Sequence, residues 1–116
     1  MCIRDSDNSE WLLARAYDLA MQAGDQAEAA AIVEAYLDHL REAAAHFRTA
    51  GREKFGREVD HVLLLHANAI AARHVGDLID GLEADGFTIA SLEEVLADPI
   101  YSRVEEYVGP VGLSWI

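Results

Sequence analysis

Val62-Leu63-Leu64-Leu65 runs directly into His66-Ala67-Asn68. Four consecutive aliphatic residues are costly to leave in water. A run this short, bounded by charged and polar residues, predicts a buried strand. In α/β sheets the chemistry sits at the carboxyl ends of strands, and His66 stands at that end. Two readings follow. His66 is either a hydrogen-bonded histidine closing a core strand or a catalytic or ligand histidine.

The rest of the chain is rich in helix signals. Asp7-Asn8-Ser9-Glu10 offers cap residues with capping-box spacing. A first helix is expected over roughly Glu10 to Ala23, with Leu12, Ala16, Leu19 and Ala20 on one face and Gly24 as its stop. A second cap at Asp25 opens the longest element, roughly Gln26 to Ala50. There Ala29, Ile32, Val33, Tyr36, Leu37, Leu40, Ala44 and Phe47 recur at steps of three and four. Gly51 reads as the end of that helix. His39 and His46 share a face of it but have no carboxylate or cysteine at ligand spacing, so they read as surface histidines.

After the strand, a third helix is expected over roughly Ala72 to Ala84, with Val75, Leu78, Ile79 and Leu82 inward and Gly86 as stop. Phe87-Thr88-Ile89 reads as a second short strand. Ser91-Leu92-Glu93-Glu94 is a capping box opening a short helix that ends before Asp98-Pro99. Strand, helix, strand is a βα unit of a mainly parallel sheet. Two strands make no stable sheet alone. The expectation is therefore a helix-rich C-terminal part of a larger α/β domain, lacking the N-terminal part of that domain.

The chain has 116 residues, enough for one modest core, and its formal net charge is −12. That balance argues against a nucleic-acid or anionic-membrane binder, which needs a basic face. Cys2 is the sole cysteine, so neither an internal disulfide nor a cysteine metal cluster can form. No apolar run approaches 18 residues, so no transmembrane helix is expected. Met1 to Ser6 has no periodicity or turn logic and reads as a non-native leader, leaving residues 7–116 as the domain portion.

Two stretches carry a resemblance. Asp7-Asn8-Ser9-Glu10-Trp11 resembles the D-x-x-D-W motif of the polysaccharide deacetylases, the NodB-like carbohydrate esterases, and Leu64-Leu65-His66 matches their L-x-H motif. The segments from His61 to Asn68 and from Asp85 to Pro99 are also similar to that family. The resemblance implies a distorted (β/α) barrel and a divalent metal, usually zinc. It implies metal-assisted hydrolysis of N- or O-acetyl groups on an acetylated polysaccharide. His66 would be the general acid, Asp7 the carboxylate that orients it, Leu64 a wall of the acetyl pocket and Trp11 a wall of the groove. Two departures stand out. Glu10 replaces the second aspartate of the motif, and 54 residues lie between Trp11 and His66.

The chemistry is consistent with these roles. A leaving nitrogen needs a proton, and a positioned imidazolium contributes typically 10²–10⁴-fold. A carboxylate beside an imidazole favours its charged form. The family's metal ligands and catalytic base lie in motifs that precede D-x-x-D-W, and nothing upstream of Asp7 supplies them. The chain is expected to hold the acid half of a site, to bind no metal itself and to be inactive alone. Family members acting on envelope polysaccharides are exported, so the periplasm or the cell exterior is favoured. The competing expectation is a non-catalytic acidic helical module that docks through the long helix, with His66 buried and far from Asp7.

Overall fold

The computed structural model describes residues 9–104. They form α1 (Trp11–Ala23), α2 (Gln26–Phe55), α3 (Ala69–Ala84) and α4 (Leu92–Leu96), followed by a 3₁₀ turn at Pro99–Ser102. There is no strand among the described residues. The expectation of an α/β barrel with parallel strands is thus overturned: α1, α2 and α3 pack mutually as a three-helix arrangement. No described helix is long and apolar enough to cross a membrane.

The connection between α1 and α2 explains their pairing. Gly24 takes the left-handed conformation at φ 72°, which glycine reaches without a Cβ clash. The Asp25 N–H then donates to Ala20 O at 3.0 Å, and the Gly24 N–H to Met21 O at 3.2 Å. Asp25 at once caps α2 by accepting from the Glu28 N–H at 3.0 Å. So short a link makes the two helices antiparallel neighbours. Ala14, Tyr17 and Ala20 of α1 are buried against Ala29, Ile32, Tyr36 and Leu40 of α2. Leu12 and Leu19, expected inward, are 54% and 58% exposed.

Ile70, Leu78 and Leu82 of α3 complete the core. Val75 and Ile79, also expected inward, lie on its open side. The end of α3 is a paired-bond cap. The Phe87 N–H donates to Leu82 O at 3.0 Å and the Gly86 N–H to Glu83 O at 3.0 Å, with Gly86 at φ 82°. Phe87 follows the cap and packs against the core. It is therefore the hydrophobic clasp of a helix end and not the start of a strand. Arg48 of α2 covers it, its guanidinium carbon 4.4 Å from the ring centroid. The same guanidinium donates to the carbonyls of Asp85 and Gly86. Arg41 grips the Asp85 carboxylate with two bonds of 2.7 Å.

Helix α2 does not stop at Gly51. It continues to Phe55 and ends at Gly56, φ 66°. Gly51 is buried where the returning chain crosses the helix. A Cβ there would lie 2.9 Å from Val59 Cγ2 and 3.3 Å from His61 Cε1. Glycine is thus required by close approach and not by helix termination. In an open helix Gly→Ala gains up to about 1 kcal/mol. Here overpacking, typically about 1–3 kcal/mol, opposes that gain. Gly51→Ala is expected to lower the urea midpoint, whereas the same change at Gly76, which meets nothing within 4 Å, is expected to raise it.

Residues 58–67 have no regular secondary structure. Val62 to His66 finds no strand partner among the described residues, so its backbone joins no ladder. The aliphatic run is used differently. Leu63 and Leu65 pack against the helical core, while Leu64 and His66 face outward. Asn68 then caps α3 by accepting the Ala71 N–H at 2.9 Å. The capping box at Ser91 forms as its spacing predicts, with Glu94 reaching back to the Ser91 N–H at 2.9 Å.

Candidate functional site

His66 meets a carboxylate, and that carboxylate is Glu10. One oxygen, Glu10 Oε1, accepts the His66 backbone N–H at 2.8 Å and lies 2.7 Å from His66 Nδ1. A carboxylate oxygen accepts, so the ring nitrogen facing it carries the hydrogen. Nε2 is then the ring nitrogen that does not face Glu10. The second oxygen, Oε2, receives a longer contact of 3.4 Å from Asn68 Nδ2. Asn68 thereby ties the cap of α3 to the same carboxylate. The burial is asymmetric: the Glu10 side chain is 1% exposed and that of His66 is 50% exposed. A buried acceptor holds a solvent-facing imidazole.

Local backbone explains how Glu10 comes to point inward. Ser9 sits at φ 61°, a left-handed conformation that few non-glycine residues adopt. The Leu12 N–H donates to Ser9 O at 3.1 Å, closing the first turn around it. Glu10 then occupies the N-cap position of α1 but makes no side-chain cap bond. Its carboxylate is directed across to the 66–68 segment instead.

The residues singled out in the sequence fare differently. His66 is at the site. Asp7 lies outside the described residues, and the capping box expected from Asp7 to Glu10 falls partly there too. Trp11, next to Glu10, is 49% exposed and so is not the core residue that a helix start suggests. Leu64, two residues before His66, is 48% exposed and turns outward as His66 does. Glu10 figured in the sequence only as a departure from a motif. A signal was present: Glu10, Ala14, Tyr17 and Met21 follow steps of four, three and four. That rhythm places Glu10 on the buried stripe of α1, and a carboxylate on such a stripe needs a partner.

Tyr36 was also missed. It is fully buried, and among the described residues its hydroxyl has no hydrogen-bond partner. Burial pushes the phenol above its ordinary range, and the charge of Glu10 adds to the effect. A hydroxyl buried without a partner costs about 1–3 kcal/mol. Tyr36→Phe is therefore expected to raise the unfolding free energy by about 1 kcal/mol in a urea titration. A drop instead would show that the hydroxyl is bonded in solution.

Among the described residues no three His, Cys, Asp or Glu side chains gather closely enough to hold an ion. The described residues alone do not make up a zinc site of the type that the sequence resemblance implies. Compared with protein-family models, with curated proteins and with solved structures, the chain matches none.

Proposed function

We propose that this chain carries the proton-donating half of a hydrolytic site of the polysaccharide deacetylase type, with His66 as general acid and Glu10 as the residue that positions it. The observation that carries this reading is the Glu10–His66 pair. A carboxylate from the D-x-x-E-W stretch and the histidine of L-x-H, 56 residues apart, share one oxygen contact of 2.7 Å. In this reading Glu10 fixes the Nδ1 hydrogen, and Nε2 donates to the departing sugar nitrogen or oxygen. Leu64 and Trp11 supply exposed apolar surface against which the acetyl group and the sugar ring rest. The water-activating half of the reaction belongs to groups other than those described.

The docking-module reading places its surface on α2, whereas the large exposed apolar residues Leu12, Leu19, Val75 and Ile79 lie on α1 and α3. It requires a buried His66, which the half-exposed ring does not satisfy. The dyad reading is therefore preferred.

The test is a titration of the isotope-labelled chain with N-acetylated chitotetraose, followed by NMR. Shifts confined to His66, Leu64 and the Trp11 indole are expected, and they should vanish in His66→Gln. Saturating sugar without any shift at these residues would remove the proposal. With zinc added, the chain alone is expected to release no acetate; metal-dependent release would show that it holds more than the acid half.

A further inference from the structure

A second feature lies on different residues. At the seam of α1, α2 and α3 an open groove of about 480 Å³ runs between Tyr17, Val33 and Arg73. That volume falls in the range of small-molecule sites. Its floor is apolar, formed by Met21, Ala29 and Val33. Arg73 stands at the α3 wall, exposed to solvent. Its Nη1 donates to the Tyr17 hydroxyl at 2.9 Å, and its guanidinium carbon lies 5.8 Å from the centroid of the Tyr17 ring. Tyr17 itself is 4% exposed. Arg73 is thus fastened by a buried neutral group, with no carboxylate at salt-bridge distance among the described residues.

Among the described arginines, Arg73 shares this state with Arg15 and Arg103, but it alone lines this groove. Acidic residues outnumber basic ones 21 to 9. Arg41, Arg48, Arg52 and Arg57 each sit within salt-bridge range of a carboxylate. His74, also on the α3 wall, has its Nδ1 engaged by Asp77 Oδ2 at 2.8 Å and its ring edge-on to Tyr17. It closes the wall without neutralising Arg73. A guanidinium held in place keeps a planar fork of N–H donors that matches a carboxylate. An apolar floor beside it favours a hydrocarbon body. Glu34 on the α2 wall disfavours a second negative charge on the occupant.

We propose that this groove binds a short apolar monocarboxylate, its carboxylate paired with Arg73 and its body lying on the Met21, Ala29 and Val33 floor. The inference does not depend on the Glu10–His66 reading.

The experiment is an NMR titration of the whole chain with octanoate in about 150 mM salt, where the field of the acidic surface is screened beyond about 8 Å. Shifts at Tyr17, Val33 and His74 are expected, with a dissociation constant of about 1 mM for a ligand of this size. Octanol, octylamine and the dicarboxylate suberate should each bind at least about tenfold more weakly. Arg73→Gln, a change at an exposed position, should weaken octanoate by about tenfold or more. Ala30→Trp, which fills the groove from an exposed lining position, should abolish the shifts while leaving Arg73 in place. Equal binding of octanol and octanoate would overturn the proposal. So would undiminished binding by either variant, or no shift at about 20 mM octanoate, well above the expected constant.

Discussion

Glu10→Ala is expected to lower the unfolding free energy by about 3 kcal/mol. The change deletes a fully buried acceptor and leaves a cavity. The His66 N–H, the His66 ring and the Asn68 amide all lose the group they reach. Hydrogen bonds to charged groups contribute about 1.5–3 kcal/mol, and an abandoned donor adds its desolvation penalty. Two elements come loose at once, because Glu10 opens α1 while Asn68 caps α3. Glu10→Gln keeps an oxygen in place and should cost about half as much. Urea unfolding of both variants checks the ranking, and the His66 ring resonances report whether the imidazole is still held. A Glu10→Ala variant within about 0.5 kcal/mol of the parent, the scatter of ordinary surface changes, would show that the contact is not maintained in solution.

Acidification should act most strongly through Asp98. This side chain is nearly buried, and it accepts from Arg57 with both oxygens and from the backbone N–H groups of Asp60 and Ile100. The Arg57 guanidinium and these amides hold its carboxyl far below the usual carboxylate range. A depressed carboxylate contributes stability that is fully present above its unfolded value of about 3.9 and is lost as pH falls toward its folded value. Asp98→Asn should therefore cost about 1–2 kcal/mol at pH 7, a figure reduced because Arg57 is half exposed. The gap between parent and variant should hold down to about pH 4 and narrow below it. A gap independent of pH would mean that the charge of Asp98 plays no part. Asp85, Glu58 and Glu94 are lowered in the same direction by Arg41, Arg52 and Ser91. They lie in solvent and reinforce the trend weakly.

The helices were legible in the sequence because their periodicity is a direct image of burial. The pattern from Ala29 to Leu40 names the buried face of α2 almost residue for residue. The capping box at Ser91 and the stop at Gly86 also survive, since both are local chemistry. The errors fall where a local pattern has two physical outcomes. A short aliphatic run reads as a strand whether or not a neighbour exists, and Val62 to His66 has none among the described residues. Gly51 reads as a helix stop, but its missing Cβ makes room for Val59 and His61. On α1 the larger side chains, Leu12 and Leu19, suggested the inner face. The inner face of α1 is instead that of Ala14, Tyr17 and Ala20, the stripe turned toward α2. For the site, the expected partner of His66 was Asp7, which lies outside the described residues, while the contact observed is with Glu10. Glu10 was readable only through its place on the buried stripe of α1, a signal that its position as a departure from a motif obscured.

The oxygen that steadies His66 is anchored twice over. Glu10 Oε1 is shared between the imidazole and the amide of the same residue. A backbone amide does not ionise in water, so this half of the contact is independent of the state of the ring. Under the proposed function, such a tether would keep the ring in one place from one cycle to the next.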